Sequence, residues 1–210
     1  MSDARSTLVG RVDAALRGLS PGYFAAVMAT GVLSVGVAYD GRPLLSRVLL
    51  VLAVVMFVGL VLLNGWRLVS HRAELVDDFT RPMRGFGFYT FVAALDVLAA
   101  RIAAYTDLAL WLLTIAAACW LLRGYAVPWT TRLGSDERPI VAAANGTWFM
   151  WAVAGPSVAV AAAAVAAVRP GETLAAIAVG AWFVGVFLYA LDGVFVARCA
   201  SCSSTSAPRT

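Results

Sequence analysis

Six apolar blocks, most of them long enough to cross a bilayer as a helix, run through this chain. Nothing else in the sequence limits the fold as tightly. They are Gly22–Tyr39, Leu44–Leu63, Gly85–Ala104, Leu108–Leu122, Ile140–Val165 and Leu174–Val196. About twenty helical residues, rising about 1.5 Å each, cross a hydrocarbon core of about 30 Å. The fourth block is the shortest, and Thr106 and Tyr125 extend it towards the interfaces. Lipid offers no partner to a backbone N–H or C=O, so each block is expected to be an α-helix. Trp66, Trp111, Trp120 and Trp129 lie near block ends, where interfacial aromatic side chains belong. The expected fold is an all-α integral membrane bundle of about six transmembrane helices.

Composition agrees. With 61% hydrophobic and 13% charged residues, the chain carries more apolar surface than 210 residues can enclose as a soluble domain. The net charge is +4, and every basic residue is an arginine, a bias that points to the coding sequence. These arginines sit between apolar blocks, where they meet anionic headgroups; no nucleic-acid partner is expected. Cys119 lies in an apolar block and reads as a small hydrophobe. Cys199 and Cys202 form a lone C-x-x-C, and His71 is the only histidine, so a metal site lacks ligands. No nucleophile–histidine–acid set and no phosphate-binding glycine motif occurs. Neither an enzyme nor a cofactor is expected. No cleavable signal peptide is evident, because the first apolar block starts late and has full length.

The connections alternate in character. Those after the first, third and fifth blocks are short: Asp40–Pro43, a few residues around Thr106, and Arg169–Thr173. Those after the second and fourth are longer and hold Arg67, Arg72, Arg81 and Arg84, then Arg123, Arg132 and Arg138. With Arg5, Arg11, Arg17, Arg198 and Arg209, most arginines fall on one side, leaving Arg42, Arg47, Arg101 and Arg169 on the other. The positive-inside rule then puts both termini in the cytoplasm of a multi-pass cell-membrane protein. Residues 1–20 form a cytoplasmic segment, either a short amphipathic surface helix over Val9–Leu19 or a frayed terminus. Residues 21–197 form the transmembrane domain, and residues 198–210 a polar, disordered tail.

The blocks therefore pair into three parallel hairpins. The odd helices are small and polar, with Gly22, Gly31, Gly36 and the stripe Ala26, Thr30, Ser34 in the first. The third has Thr90 and Asp96; the fifth has Asn145, Thr147, Gly155, Pro156 and Ser157. The even helices are richer in Leu, Val and Trp. Repeated parallel hairpins imply an axis along the membrane normal, with odd helices inside. Close helix packing explains individual glycines equally well.

Asp96 is the acid placed deepest in an odd helix, and an intramembrane carboxylate is costly enough to mark a function or a pairing. It either pairs with Arg101 or binds a proton. Pro156 deprives the Ala152 carbonyl of its helical partner and is expected to kink the fifth helix. Asn145 and Thr147 line a cytoplasmic mouth or cap the helix start. Thr30 and Ser34 line a path or bond back to their own helix. Arg81 and Arg84 attract anions to an entrance or hold headgroups.

Three stretches resemble a known family. LSPGYFAAVMATGVLSVG (Leu19 to Gly36), DDFTRPMRGFGFYTFVAALDVLAAR (Asp77 to Arg101) and NGTWFMWAVAGPSVAV (Asn145 to Val160) are similar to the first, third and fifth helices of the tellurite-resistance/dicarboxylate transporter family. That family includes bacterial tellurite-resistance and C4-dicarboxylate carriers, yeast malate and sulfite carriers, and plant slow anion channels. The resemblance implies part of a ten-helix channel of five hairpins, its odd helices around a quasi-fivefold pore. It implies a transporter or channel for small anions or C4-dicarboxylates. The pore-plugging phenylalanine of the family lies on a ninth helix, so no residue here takes that role. After Cys199 the sequence offers no further apolar block, and a truncated or frame-shifted reading frame is expected; a naturally shortened homologue is the alternative. The contrasting function is a non-transporting truncated membrane protein or assembly module, with a homo-oligomer as one way to close the ring.

Overall fold

A computed structural model describes residues 18–74, 76, 85, 87–133 and 149–205. Ser20 opens the first element: its Oγ accepts from the Gly22 amide at 3.2 Å. Pro21 follows at the first helical position, where its missing N–H costs no bond. One 3-10 turn, Pro21–Tyr23, leads into α1 (Phe24–Tyr39). Gly41, at φ 73°, makes the tight turn into α2 (Pro43–Ser70). Then come α3 (Phe88–Ile102), α4 (Leu108–Leu133), α5 (Phe149–Val168) and α6 (Glu172–Thr205). Among the described residues there is no strand. The expected all-α membrane architecture is the one observed. The segments Pro21–Tyr39, Pro43–Ser70, Phe149–Val168 and Glu172–Val194 are each long and apolar enough to span a membrane, and Leu108–Gly124 is a shorter apolar helix.

Three helices outrun their apolar blocks by seven residues or more. α2 continues past Leu63 to Ser70, α4 past Leu122 to Leu133, and α6 past Val196 to Thr205. A helix need not stop at the hydrocarbon boundary, because its backbone bonds are internal at any depth. Arginines read from sequence as loop residues consequently sit on helices, Arg67 and Arg123 among them. Arg67 is fully buried on α2 and donates from Nη1 to the Leu19 carbonyl at 2.8 Å. Arg123, on α4, donates from Nη2 to the Gly85 carbonyl at 2.8 Å, its guanidinium 5.4 Å from the Phe88 ring centroid. Each ties the end of one helix to the start of another.

The hairpins pack as α1 on α2, α3 on α4 and α5 on α6, while α3 also packs against both α1 and α5. The odd helices thus stand in a row with α3 at its centre. α3 is accordingly the most enclosed, with Tyr89, Thr90, Val92 to Asp96, Leu98 and Ala99 all buried. The even helices lie outside: Val51, Val55 and Leu62 of α2 and Trp182, Phe183 and Phe187 of α6 are exposed where lipid would cover them.

Lipid is as apolar as the helices, so close fit and polar contacts must hold the bundle together. Phe24, Phe57 and Phe91 join α1, α2 and α3 with ring centroids 5.0 to 5.9 Å apart. α5 and α6 meet glycine to glycine. A Cβ added at Gly155 would come within 2.9 Å of the Gly185 Cα, and Gly185 in turn leaves room for the Pro156 ring.

Candidate functional site

The three odd helices line one open groove of about 370 Å³. Each contributes a stripe at helical spacing: Met28, Val32 and Val35 from α1; Ala93, Asp96, Val97 and Ala100 from α3; Val153, Pro156, Ser157 and Val160 from α5. Its walls are almost wholly apolar. The polar exceptions are Asp96 and Ser157, which meet where α3 crosses α5.

Asp96 is fully buried, and its Oδ2 lies 2.8 Å from the Ser157 Oγ. Its Oδ1 has no hydrogen-bond partner among the described residues. Ser157 is also 2.8 Å from the carbonyl of Ala154, on its own helix. Pro156 stands between Ala154 and Ser157 within α5 and reaches both the groove and Gly185. One face of α5 therefore carries the site while another carries the contact with α6.

Arg101 does not reach Asp96. It donates from Nε to the Ser34 Oγ at 3.2 Å and from Nη2 to the Ser46 Oγ at 2.8 Å. Those two serines, both fully buried, are clasped reciprocally: each hydroxyl donates to the other's carbonyl at 2.7 Å. Ser34 therefore points at α2, and the α1 stripe that lines the groove is Met28–Val32–Val35 instead. Thr30 donates to the Ala26 carbonyl of its own helix at 2.9 Å. Thr90 is buried and lies 3.1 Å from the Pro21 carbonyl and 2.6 Å from that of Gly87, closing the junction of α1 and α3. Gly155 serves the α5–α6 crossing. Of the residues singled out from sequence, the groove brings together Asp96, Pro156 and Ser157. Asn145, Thr147, Arg81 and Arg84 lie outside the described residues.

Ser46 and Gly185 were not singled out from sequence. Ser46 had a usable signal, being a polar residue within an otherwise Leu- and Val-rich even block. Gly185 had none that sets it apart from Gly180 on the same helix, where an added Cβ meets nothing. Asp192, on α6, is a second fully buried acid, with neither oxygen hydrogen-bonded among the described residues.

Among the described residues, no group of three or more His, Cys, Asp or Glu is placed to hold a metal. The site offers one carboxyl, one hydroxyl and apolar walls. Compared with known proteins, the chain matches over residues 18–200 the family model described as voltage-dependent anion channel. No curated protein and no solved structure matches it significantly.

Proposed function

Since this chain belongs to the voltage-dependent anion channel family, a family of membrane channels and transporters, we propose that anions move along the groove between α1, α3 and α5. The observation that carries this reading is the groove itself: three parallel odd helices turn small and apolar stripes to one shared path. Conduction requires that an ion enter favourably and still leave. Walls of Met28, Val32, Val35, Val153 and Val160 supply no fixed cation to trap it. They favour weakly hydrated, singly charged anions such as nitrate or iodide. C4-dicarboxylates and tellurite-linked substrates are the finer possibilities carried by the family resemblance. Both termini are proposed to face the cytoplasm, on the distribution of arginines.

The test is flux from liposomes holding the purified full chain. Nitrate or iodide efflux above that of empty vesicles is expected, with malate efflux reading the dicarboxylate alternative. Val32→Trp is the informative variant. Val32 is 53% exposed and lines the groove, so a larger ring there fills the path without entering a packed core. Efflux is expected to fall at least tenfold. Absence of any anion efflux in the unmodified protein would favour the non-transporting assembly module.

A further inference from the structure

Asp96 and Ser157 present a proton-counting problem. A serine hydroxyl has one proton to give. Ser157 Oγ lies 2.8 Å from two acceptors, the Asp96 Oδ2 and the Ala154 carbonyl. If Asp96 is ionised, both compete for that proton. If Asp96 is neutral, its own O–H donates to Ser157, and Ser157 donates to Ala154, so both short contacts are hydrogen bonds at once. The bare Oδ1 points the same way, since an ionised oxygen buried without a donor is costly.

No cation among the described residues pairs with Asp96. Across the groove, α1 offers Met28, Val32 and Val35, and residues 149–168 of α5 contain no ionisable side chain. On α3 itself, Arg101 is engaged with Ser34 and Ser46, and Tyr89 lies nearly two turns away. Arg123 of α4 is bound to the Gly85 carbonyl, and Cys119 is the other titratable group on its apolar part. From α2, Arg67 is bound to the Leu19 carbonyl and Arg47 is exposed near the start of the helix. No ion pair to Asp96 occurs among the described residues.

We propose that Asp96 and Ser157 form a proton-operated gate in the groove: the neutral carboxyl lets anions pass, and its ionisation expels them. This rests on the groove being the anion path. The ionised state places a fixed negative charge in an apolar channel wall, where an approaching anion is repelled with little solvent screening. It also takes the Ser157 hydroxyl away from Ala154, beside Pro156, at a point where α5 already lacks a backbone bond.

The gate is tested by two readouts. In liposomes, nitrate efflux is expected to fall at least tenfold as buffer on both sides is changed from mildly acidic to mildly alkaline. Asp96→Asn, which stays neutral, should keep the acid-limb rate throughout. Ser157→Ala should displace the midpoint, and Thr114→Ala on α4, whose hydroxyl bonds to its own helix, should behave as the unmodified protein. The second readout needs no transport: the infrared titration difference between the unmodified protein and Asp96→Asn, which cancels the contribution of Asp192, should show a protonated-carboxyl band in acid that is lost in alkali. Efflux that ignores pH overturns the gate while leaving the anion path intact. Absent efflux overturns the path, and absence of the titrating band overturns the gate whatever the efflux shows.

Discussion

At the scale of single residues, the polar side chains divide by what they touch. Ser34 and Ser46, both buried, and the half-buried Arg101 form a set joining α1, α2 and α3. Ser46→Ala removes one partner of the Arg101 guanidinium and the donor to the Ser34 carbonyl. Each group left without its bond in a buried setting costs about 1–3 kcal/mol. The variant should therefore unfold in detergent about 1–3 kcal/mol more easily by chemical denaturation. Thr114→Ala is the contrast: its hydroxyl donates to the Leu110 carbonyl at an exposed site, and a change within about 0.5 kcal/mol is expected. A block reading LLSRVLLVL shows that Ser46 is unusual but not which helix it serves. Asp96 was legible as a residue of consequence because a carboxyl in an apolar helix is rare and costly. Its partner was not, since Arg101 lies five residues along the same helix while Ser157 is remote in sequence.

At the scale of elements, α5 and α6 show how closely membrane helices pack when glycines face each other. Gly155 has the Gly185 Cα, the Gly185 amide nitrogen and the Ala181 carbonyl within 3.2 Å of where a Cβ would stand. Backbone atoms cannot swing aside as a side chain can. Gly155→Val should force the helices apart and lower stability by about 1–3 kcal/mol, the usual cost of overpacking. A fall in the detergent melting temperature checks this. Gly59→Ala on α2, where an added Cβ meets nothing, should instead be neutral or raise stability by up to about 1 kcal/mol. Hydropathy placed all six helices but underestimated three of them, since α2, α4 and α6 continue into polar sequence. It reports where lipid is, and helical hydrogen bonds do not end there.

At the scale of the whole molecule, function depends on the row of odd helices keeping one face in common. The Val32→Trp efflux experiment tests the groove as a path. Topology is tested separately. Single-cysteine labels at Gly41 and Gly171, in two of the three short connections, should react with a membrane-impermeant maleimide from outside intact cells if both termini are cytoplasmic. Protection of both positions would reverse the orientation. The background is a variant in which Cys119, Cys199 and Cys202 have been replaced.

Helix type, number and hairpin pairing were set by the sequence alone. Lipid leaves a spanning backbone one local solution, and short connections permit only antiparallel neighbours. The motifs on the odd blocks also carried the family. Tertiary structure alone decided the rotation of each helix about its axis. α1 and α5 are apolar nearly all round, so periodicity does not say which stripe faces inward. The stripe Ala26–Thr30–Ser34 is the conspicuous one on α1, yet Ser34 turns to α2 and Met28, Val32 and Val35 line the groove. Arg67 and Arg123 likewise became interhelical ties only once the helices were placed. Whether a polar group lines a path or clasps a neighbour depends on what stands opposite it, and that is a property of the packed bundle.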